Sequence, residues 1–130
     1  MRLLLDTHVA IWALTERWRI PASILEQIGD PDDPVAVSAA AIWEIAIKHR
    51  LARTDRPPFS GHEAIGHFEH AGFDLLAVSP AHAAFVERLP AIHNDPFDRL
   101  MLAQAVLENM QLVTYDSQLS GYDIGLITWS

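Results

Sequence analysis

The chain has 130 residues, half of them apolar, which suits one domain with a sizeable core and argues against a disordered protein. It contains no cysteine, which excludes a disulfide framework and a thiolate metal site. The formal net charge of −8 disfavours a simple nucleic-acid binder, because such proteins usually present a basic surface.

Short apolar runs alternate with helical patterns along the chain. In the first half, the predicted elements are a strand at residues 2–5, helices at 7–17 and 21–28, a strand at 35–37, a helix at 38–51 that Ser38 caps, and a loop at 53–61. In the second half, they are a helix at 63–70, a strand at 73–78, a helix at 80–89, a loop at 91–94, a helix at 95–109, and strands at 111–114 and 125–129, the last at a sheet edge.

This alternation predicts an α/β fold in which helices cover both faces of a mainly parallel sheet of four to five strands. No repeat or linker divides the chain, so residues 1–130 are predicted to form a single domain.

Asp6 and His8 interrupt the first apolar run, which makes it a poor signal peptide. No apolar stretch approaches the roughly 18–20 residues that span a bilayer, so we expect a soluble, cytoplasmic protein without a membrane partner.

Four acids are hard to explain as solvated surface. Asp6 and Asp116 follow the first and fourth predicted strands, Glu44 has mainly apolar helical neighbours, and Asp98 lies in the first turn of its helix. Active sites in parallel α/β folds lie beyond the carboxyl ends of the strands. We therefore expect these four acids, from four separate segments, to converge on one end of the sheet.

Each acid also has a structural explanation. Asp6 suits a helix cap, Asp98 the third position of a capping box, and Asp116 a turn, while Glu44 suits an ordinary helix pair with Lys48. For Asp95, which precedes Pro96, the capping role is the favoured one.

Together, the acids favour a site for Mg²⁺ or Mn²⁺, because hard divalent cations prefer oxygen ligands and no cysteine or convincing histidine triplet is present. A carboxylate-bound ion activates water and neutralises phosphate charge, which suits phosphodiester cleavage without a 2′-hydroxyl. A cation in an acidic pocket would also reconcile the negative net charge with an anionic substrate.

The sequence resembles PIN-domain proteins of the VapC toxin type. The matching segments come in the family's order and span nearly the whole chain: Leu4-Leu5-Asp6-Thr7-His8, Ser38 through Glu44 to Lys48, Asp95-Pro96-Phe97-Asp98-Arg99 followed by Ala103-Gln104-Ala105, and Thr114-Tyr115-Asp116.

This resemblance implies a three-layer α/β/α PIN sandwich and a metal-dependent endoribonuclease that leaves a 3′-hydroxyl and a 5′-phosphate. It implies one acidic, metal-binding site made of Asp6, Glu44, Asp98 and Asp116. Orienting or capping roles fall to Asp95, Thr7, Ser38 and Thr114. The resemblance further implies a homodimer and a small antitoxin whose tail fills or covers the active site.

Other residues have weaker signals. A basic segment could contact the RNA backbone, although a solvated helix end explains it as well; its members are Lys48, Arg50, Arg53 and Arg56. The spacing of His62, His67 and His70 favours a helix surface over a metal site. Three tryptophans are interpreted as core or dimer contacts more readily than as a base-stacking platform: Trp12, Trp18 and Trp43.

Three rival functions stay open. A phosphatase could use Asp6 as its nucleophile, although the Asp-x-Asp pattern of haloacid-dehalogenase-like enzymes is broken by His8. A metal-independent ribonuclease could use His8 and His93 as acid and base. A non-catalytic PIN module could bind RNA or a partner, which the intact acid set disfavours.

Overall fold

A five-stranded sheet in which every strand pair is parallel organises the fold. The computed structural model describes residues 2–51, 54–92, 94–115 and 125–129. The strands are β1 (Leu3–Leu5), β2 (Val35–Ser38), β3 (Asp74–Leu76), β4 (Gln111–Val113) and β5 (Leu126–Ile127). Their spatial order is β3-β2-β1-β4-β5. The predicted parallel α/β architecture is therefore confirmed, with the last strand at an edge as expected.

The burial of each strand agrees with its position in the sheet. All three residues of β1 are buried, as are all four of β2, because a central parallel strand is covered on both faces. The edge strand β3 is largely exposed and is shorter than the predicted 73–78. The central position of β1 brings its carboxyl end next to those of β2 and β4.

The described part of the chain contains six α-helices in addition to the sheet. They are α1 (Thr7–Thr15), α2 (Ala22–Gly29), α3 (Ala39–Arg50), α4 (Gly61–His70), α5 (Pro80–Phe85) and α6 (Pro96–Leu107), with short 3₁₀ turns at Arg17–Arg19 and Val86–Arg88. None of these helices has the length and hydrophobicity required to cross a bilayer.

Two helix boundaries differ from prediction for identifiable reasons. Helix α1 ends at Thr15 rather than residue 17, because Glu16 has a non-helical backbone and a 3₁₀ turn follows. Helix α4 begins at Gly61 rather than residue 63, because Ser60 and Glu63 form a capping box that lay unrecognised at the end of the predicted loop.

Two of the three tryptophans interpreted as core or dimer contacts lie outside the core, so the dimer contact stays a prediction for them. Trp18 is 77% exposed and Trp43 is 59% exposed. Trp43 lies against Phe97 in an edge-to-face contact with ring centroids 5.1 Å apart. Trp12 is half-buried and packs against the core. Helical spacing reports which residues share a face, but here it did not indicate how deeply that face is covered.

Two glycines of α4 provide a matched test of how α3 is held. A Cβ on Gly61 would lie 2.7 Å from the Cβ of Ala46 in α3, whereas a Cβ on Gly66 would meet nothing within 4 Å. We expect Gly61→Ala to lower the free energy of unfolding by about 1–3 kcal/mol through overpacking. Gly66→Ala should raise it by about 0.5–1 kcal/mol, since alanine favours helix. Urea denaturation of both variants measures this difference, and equal effects would refute the close α3–α4 approach.

Candidate active site

Asp6 lies where β1 meets α1, and the neighbouring strand places Thr114 beside it. β1 and β4 pair with Leu5 opposite Val113, so the residue after each strand reaches the same edge of the sheet. The backbone N–H of Asp6 donates to the carbonyl of Val113 at 3.0 Å. The hydroxyl of Thr114 donates to Oδ2 of Asp6. Because the two strand ends lie side by side as predicted, the hydroxyl of Thr114 reaches the carboxylate of Asp6.

The Asp6 carboxylate also caps α1 and is deeply buried. Its Oδ1 accepts a hydrogen bond from the N–H of Val9 at 2.9 Å, and the residue is only 5% exposed. Burial raises the pKa of the Asp6 carboxyl above its ordinary value; the hydrogen bonds from Thr114 and Val9 oppose this rise, and the charge of Glu44 adds to it. A nearby cation would stabilise the charged form of this carboxylate.

Glu44 is the second buried acid, at 4% exposure, and it projects from α3. Its Oε1 accepts a hydrogen bond from Oγ1 of Thr7 at 2.6 Å, and its Oε2 lies 2.5 Å from Nζ of Lys48. The ordinary helix pair with Lys48 is thus present. The Thr7 bond ties the same carboxylate to α1, one residue after Asp6.

Asp95 and Asp98 lie at the start of α6. Oδ1 of Asp95 accepts hydrogen bonds from the N–H groups of Phe97 and Asp98 at 2.8 and 3.2 Å, which confirms the capping role favoured by the sequence. The following Arg99 donates to the carbonyls of Pro90 and Val86, each at 2.9 Å. This motif therefore both starts the helix and anchors the segment that precedes it.

One pocket of about 420 Å³ brings these side chains together. Its lining residues are Asp6, His8, Trp12, Arg19, Glu44, Lys48, Asp95, Asp98 and Tyr115. Three of the four predicted acids therefore share one pocket, while Asp116 lies outside the described residues. Of the predicted orienting residues, Thr7 and Thr114 contact the buried acids, and Ser38 caps α3 through a 2.9 Å hydrogen bond from the N–H of Ala40.

The donor chemistry of this pocket fits a hard divalent cation. Its acids supply oxygen, and Mg²⁺ takes one or two carboxylates while keeping several waters. A carboxylate has about four lone-pair sites, so the buried acids retain capacity beyond the hydrogen bonds named above. Within the described ranges, no group of three or more histidine, aspartate or glutamate side chains is placed to hold one ion. The described acids thus suit an ion completed by water rather than a three-ligand protein cage.

The residues of the predicted basic segment, and the histidines noted in the sequence, lie in different parts of the structure. Arg56 lies in an adjoining cleft of about 430 Å³ that shares Lys48, and its Nη2 is 3.2 Å from Nε2 of His49. Arg50 is exposed, whereas Arg53 and His93 fall outside the described residues. The three histidines of α4 are exposed, as expected for a helix surface: His62, His67 and His70.

Sequence reasoning missed part of the pocket lining. Arg19 comes from the 3₁₀ turn after α1, and Tyr115 is the second residue after β4. Trp12 was assigned to the core or a dimer contact, yet it also faces the pocket. The position of Tyr115 beside the predicted acid Asp116 was the available signal; for Arg19 the sequence offered none, since its approach depends on the turn after α1.

Comparison with known proteins agrees with this architecture. The family model of the PIN domain matches residues 3–125. Ribonuclease VapC22 of Mycobacterium tuberculosis is 32% identical over 126 residues, covering 92% of this chain and 91% of that protein. VapBC2 from Rickettsia felis, bound to a DNA fragment from its promoter, has a TM-score of 0.71 at 15% identity, with 100% of both chains covered.

A second solved structure, DNA-bound VapBC from Salmonella typhimurium, also has a TM-score of 0.71 at 15% identity and covers 100% of this chain and 99% of that one. At such identities the structural similarity establishes the fold alone. The family match, by contrast, extends over nearly the whole chain and includes the segments that carry all four predicted acids. This chain belongs to the PIN-domain family.

Proposed function

We propose that this protein is a Mg²⁺- or Mn²⁺-dependent endoribonuclease that acts as the toxin of a type II toxin–antitoxin pair. The observation that carries the proposal is that two buried carboxylates from separate segments, Asp6 and Glu44, line one pocket together with Asp98. Similarity to a protein named ribonuclease VapC22 supports the same reaction class.

The proposed ligands are the acids of the pocket, with Asp6 and Asp98 as the principal ones, Glu44 beside them and Asp116 added from the sequence. A divalent ion held there would lower the pKa of a water molecule and neutralise charge on the phosphate oxygens. The water oxygen would attach to phosphorus as the bond from phosphorus to the 3′ oxygen breaks. The products are then a 3′-hydroxyl and a 5′-phosphate.

The chain's own residues hold the acids in place for this reaction. Thr114 and the N–H of Val9 fix both oxygens of Asp6, and Thr7 and Lys48 do the same for Glu44. A carboxylate fixed on both sides needs little reorganisation when it binds a cation, which favours a preorganised site.

Two basic side chains at the same pocket offset part of the negative charge there. Lys48 and Arg19 both line the pocket that holds the acids. The Lys48 side chain is 41% exposed, so its ammonium can contact both Glu44 and solvent. An RNA phosphate would therefore approach two positive groups as well as the acids, which supports an anionic substrate despite the net charge of −8.

The partners and location are proposed on the same family grounds. Solved structures of similar fold are described as VapBC complexes, including those from Rickettsia felis and Salmonella typhimurium. We infer that this chain likewise binds a small antitoxin, forms a homodimer and works in the cytoplasm.

Mapping the ends of cleaved RNA tests this proposal against its rivals. Purified protein with Mg²⁺ or Mn²⁺ should cut single-stranded RNA internally and leave 5′-phosphate and 3′-hydroxyl ends. Cyclic 2′,3′-phosphate ends would instead indicate a histidine mechanism that uses His8. Phosphate release from small esters without RNA cutting would indicate a phosphatase, and binding without either reaction would indicate a non-catalytic module.

A further inference from the structure

Aromatic side chains form a second part of the pocket that holds the acids. Trp12 from α1 and Tyr115 from the end of β4 both line it, with ring centroids 5.6 Å apart in an edge-to-face arrangement. Tyr115 in turn stacks on Trp129, with centroids 5.3 Å apart and planes inclined by 17°. Tyr115 is nevertheless 45% exposed, so this packed aromatic cluster still presents surface to a ligand.

Arg19 is held beside the same cluster. Its guanidinium lies over the Trp12 ring at 5.2 Å and over the Trp18 ring at 4.9 Å from the centroids. Its Nε lies 2.8 Å from Oε2 of Glu16. An arginine has five N–H donors, so the remaining ones can meet an anion while the indoles restrict the side chain.

From this arrangement we propose that Trp12 and Tyr115 form a nucleobase-stacking subsite next to the acids, and that Arg19 binds a phosphate of the same strand. The inference rests on the proposed ribonuclease function and adds how that site holds its substrate. A pocket with acidic oxygen ligands, two basic side chains and a partly exposed tyrosine ring matches each part of a nucleotide. The base must be unpaired to reach an aromatic face, so the ligand is a single strand, bound with little base preference.

The first test compares Tyr115→Leu with Tyr115→Phe, because phenylalanine keeps the ring and leucine removes it. Both are made in an Asp98→Asn background that prevents cutting, and binding of a labelled RNA of about ten nucleotides is followed by fluorescence anisotropy. Tyr115→Leu should weaken binding about 5- to 100-fold, while Tyr115→Phe should bind within about twofold of the parent. Equal affinities of the two variants, or no binding by the parent, would overturn the subsite.

The second test changes the RNA instead of the protein. A probe of the same length with abasic nucleotides should bind the parent more weakly, and Tyr115→Leu should cause no further loss with that probe. Arg19→Gln should weaken binding of both probes by the same factor. It should also reduce the slope of log affinity against log salt concentration by about one, since one phosphate contact is lost. Equal affinity of the parent for abasic and intact probes would contradict stacking. Thermal unfolding of each variant checks that the loss is not caused by misfolding.

Cleavage by the unmodified chain is scored separately, so the two proposals can fail independently. Cutting of RNA with no difference between the leucine and phenylalanine variants would refute the subsite alone. Base-dependent binding without any cutting would refute the ribonuclease and retain the stacking subsite as a binding site.

Discussion

Asp6→Asn is expected to reduce RNA cleavage by at least about 1,000-fold, because it removes a buried negative charge from the proposed metal site. Asparagine keeps an oxygen that can accept from the N–H of Val9, so the helix cap should survive. The rate of cleavage of a labelled single-stranded RNA, at saturating Mg²⁺ or Mn²⁺, measures the loss. Activity within about tenfold of the wild type would show that Asp6 is not essential to the reaction.

Stability provides the control for this variant. Burial raises the pKa of Asp6, so the folded protein binds a proton more readily than the unfolded chain at this group. The stabilising effect of that proton is present below the ordinary pKa of the carboxyl and is lost as pH rises through the raised value. At neutral pH and without metal, the buried charge of Asp6 therefore lowers the free energy of unfolding of the wild type, and the neutral asparagine does not. We expect Asp6→Asn to unfold at an equal or higher temperature in EDTA, and a clear decrease would mean that its inactivity reflects misfolding.

Removal of divalent metal is expected to abolish cleavage completely and reversibly. EDTA should stop the reaction, and Mg²⁺ or Mn²⁺ added in excess should restore it, because the activation of water and the neutralisation of phosphate would both depend on the ion. Cleavage of the same RNA before chelation, after chelation and after metal addition measures this. Undiminished cutting in EDTA would exclude the proposed mechanism and favour one based on His8.

A binding measurement without RNA separates a metal site from an effect of metal on the substrate. An ion at 100 times its dissociation constant stabilises the folded state by about 2.7 kcal/mol. Mn²⁺ should therefore raise the unfolding temperature of the wild type and raise that of Asp6→Asn much less. Equal shifts in the two proteins would place the ion elsewhere.

The acidic pocket shows why strand ends could be predicted to meet. Leu3 to Leu5 form an uninterrupted apolar run, which indicates a strand buried on both faces, and such strands are central in parallel sheets. Residues that follow neighbouring parallel strands reach the same edge of the sheet, so the topology predicted that the ends of β1 and β4 meet. The same reasoning could not state that Thr114 would donate its hydroxyl to the carboxylate of Asp6.

Glu44 combines an ordinary helix pair with a buried position in the pocket. The sequence offered a helix pair with Lys48 or a buried site as alternatives. In the structure the pair is present and the carboxylate is still 4% exposed, in a pocket shared with Asp6 and Asp98. Asp6 likewise both caps a helix and lines the pocket, so a satisfied local role is no evidence against a place in the site.

Local patterns along the chain were enough to predict the order and type of the elements, the parallel sheet, the caps at Asp6, Ser38 and Asp95, and the segments that carry the acids. These features depend on contacts between residues about four positions apart or fewer and on the alternation of strands and helices. Both can be recognised from short segments of sequence. Two outcomes became visible only in the folded chain: Trp12, Arg19 and Tyr115 join the acids, and Trp18 and Trp43 stay exposed. Those outcomes depend on how distant segments pack in three dimensions, which helical spacing and local propensity do not specify.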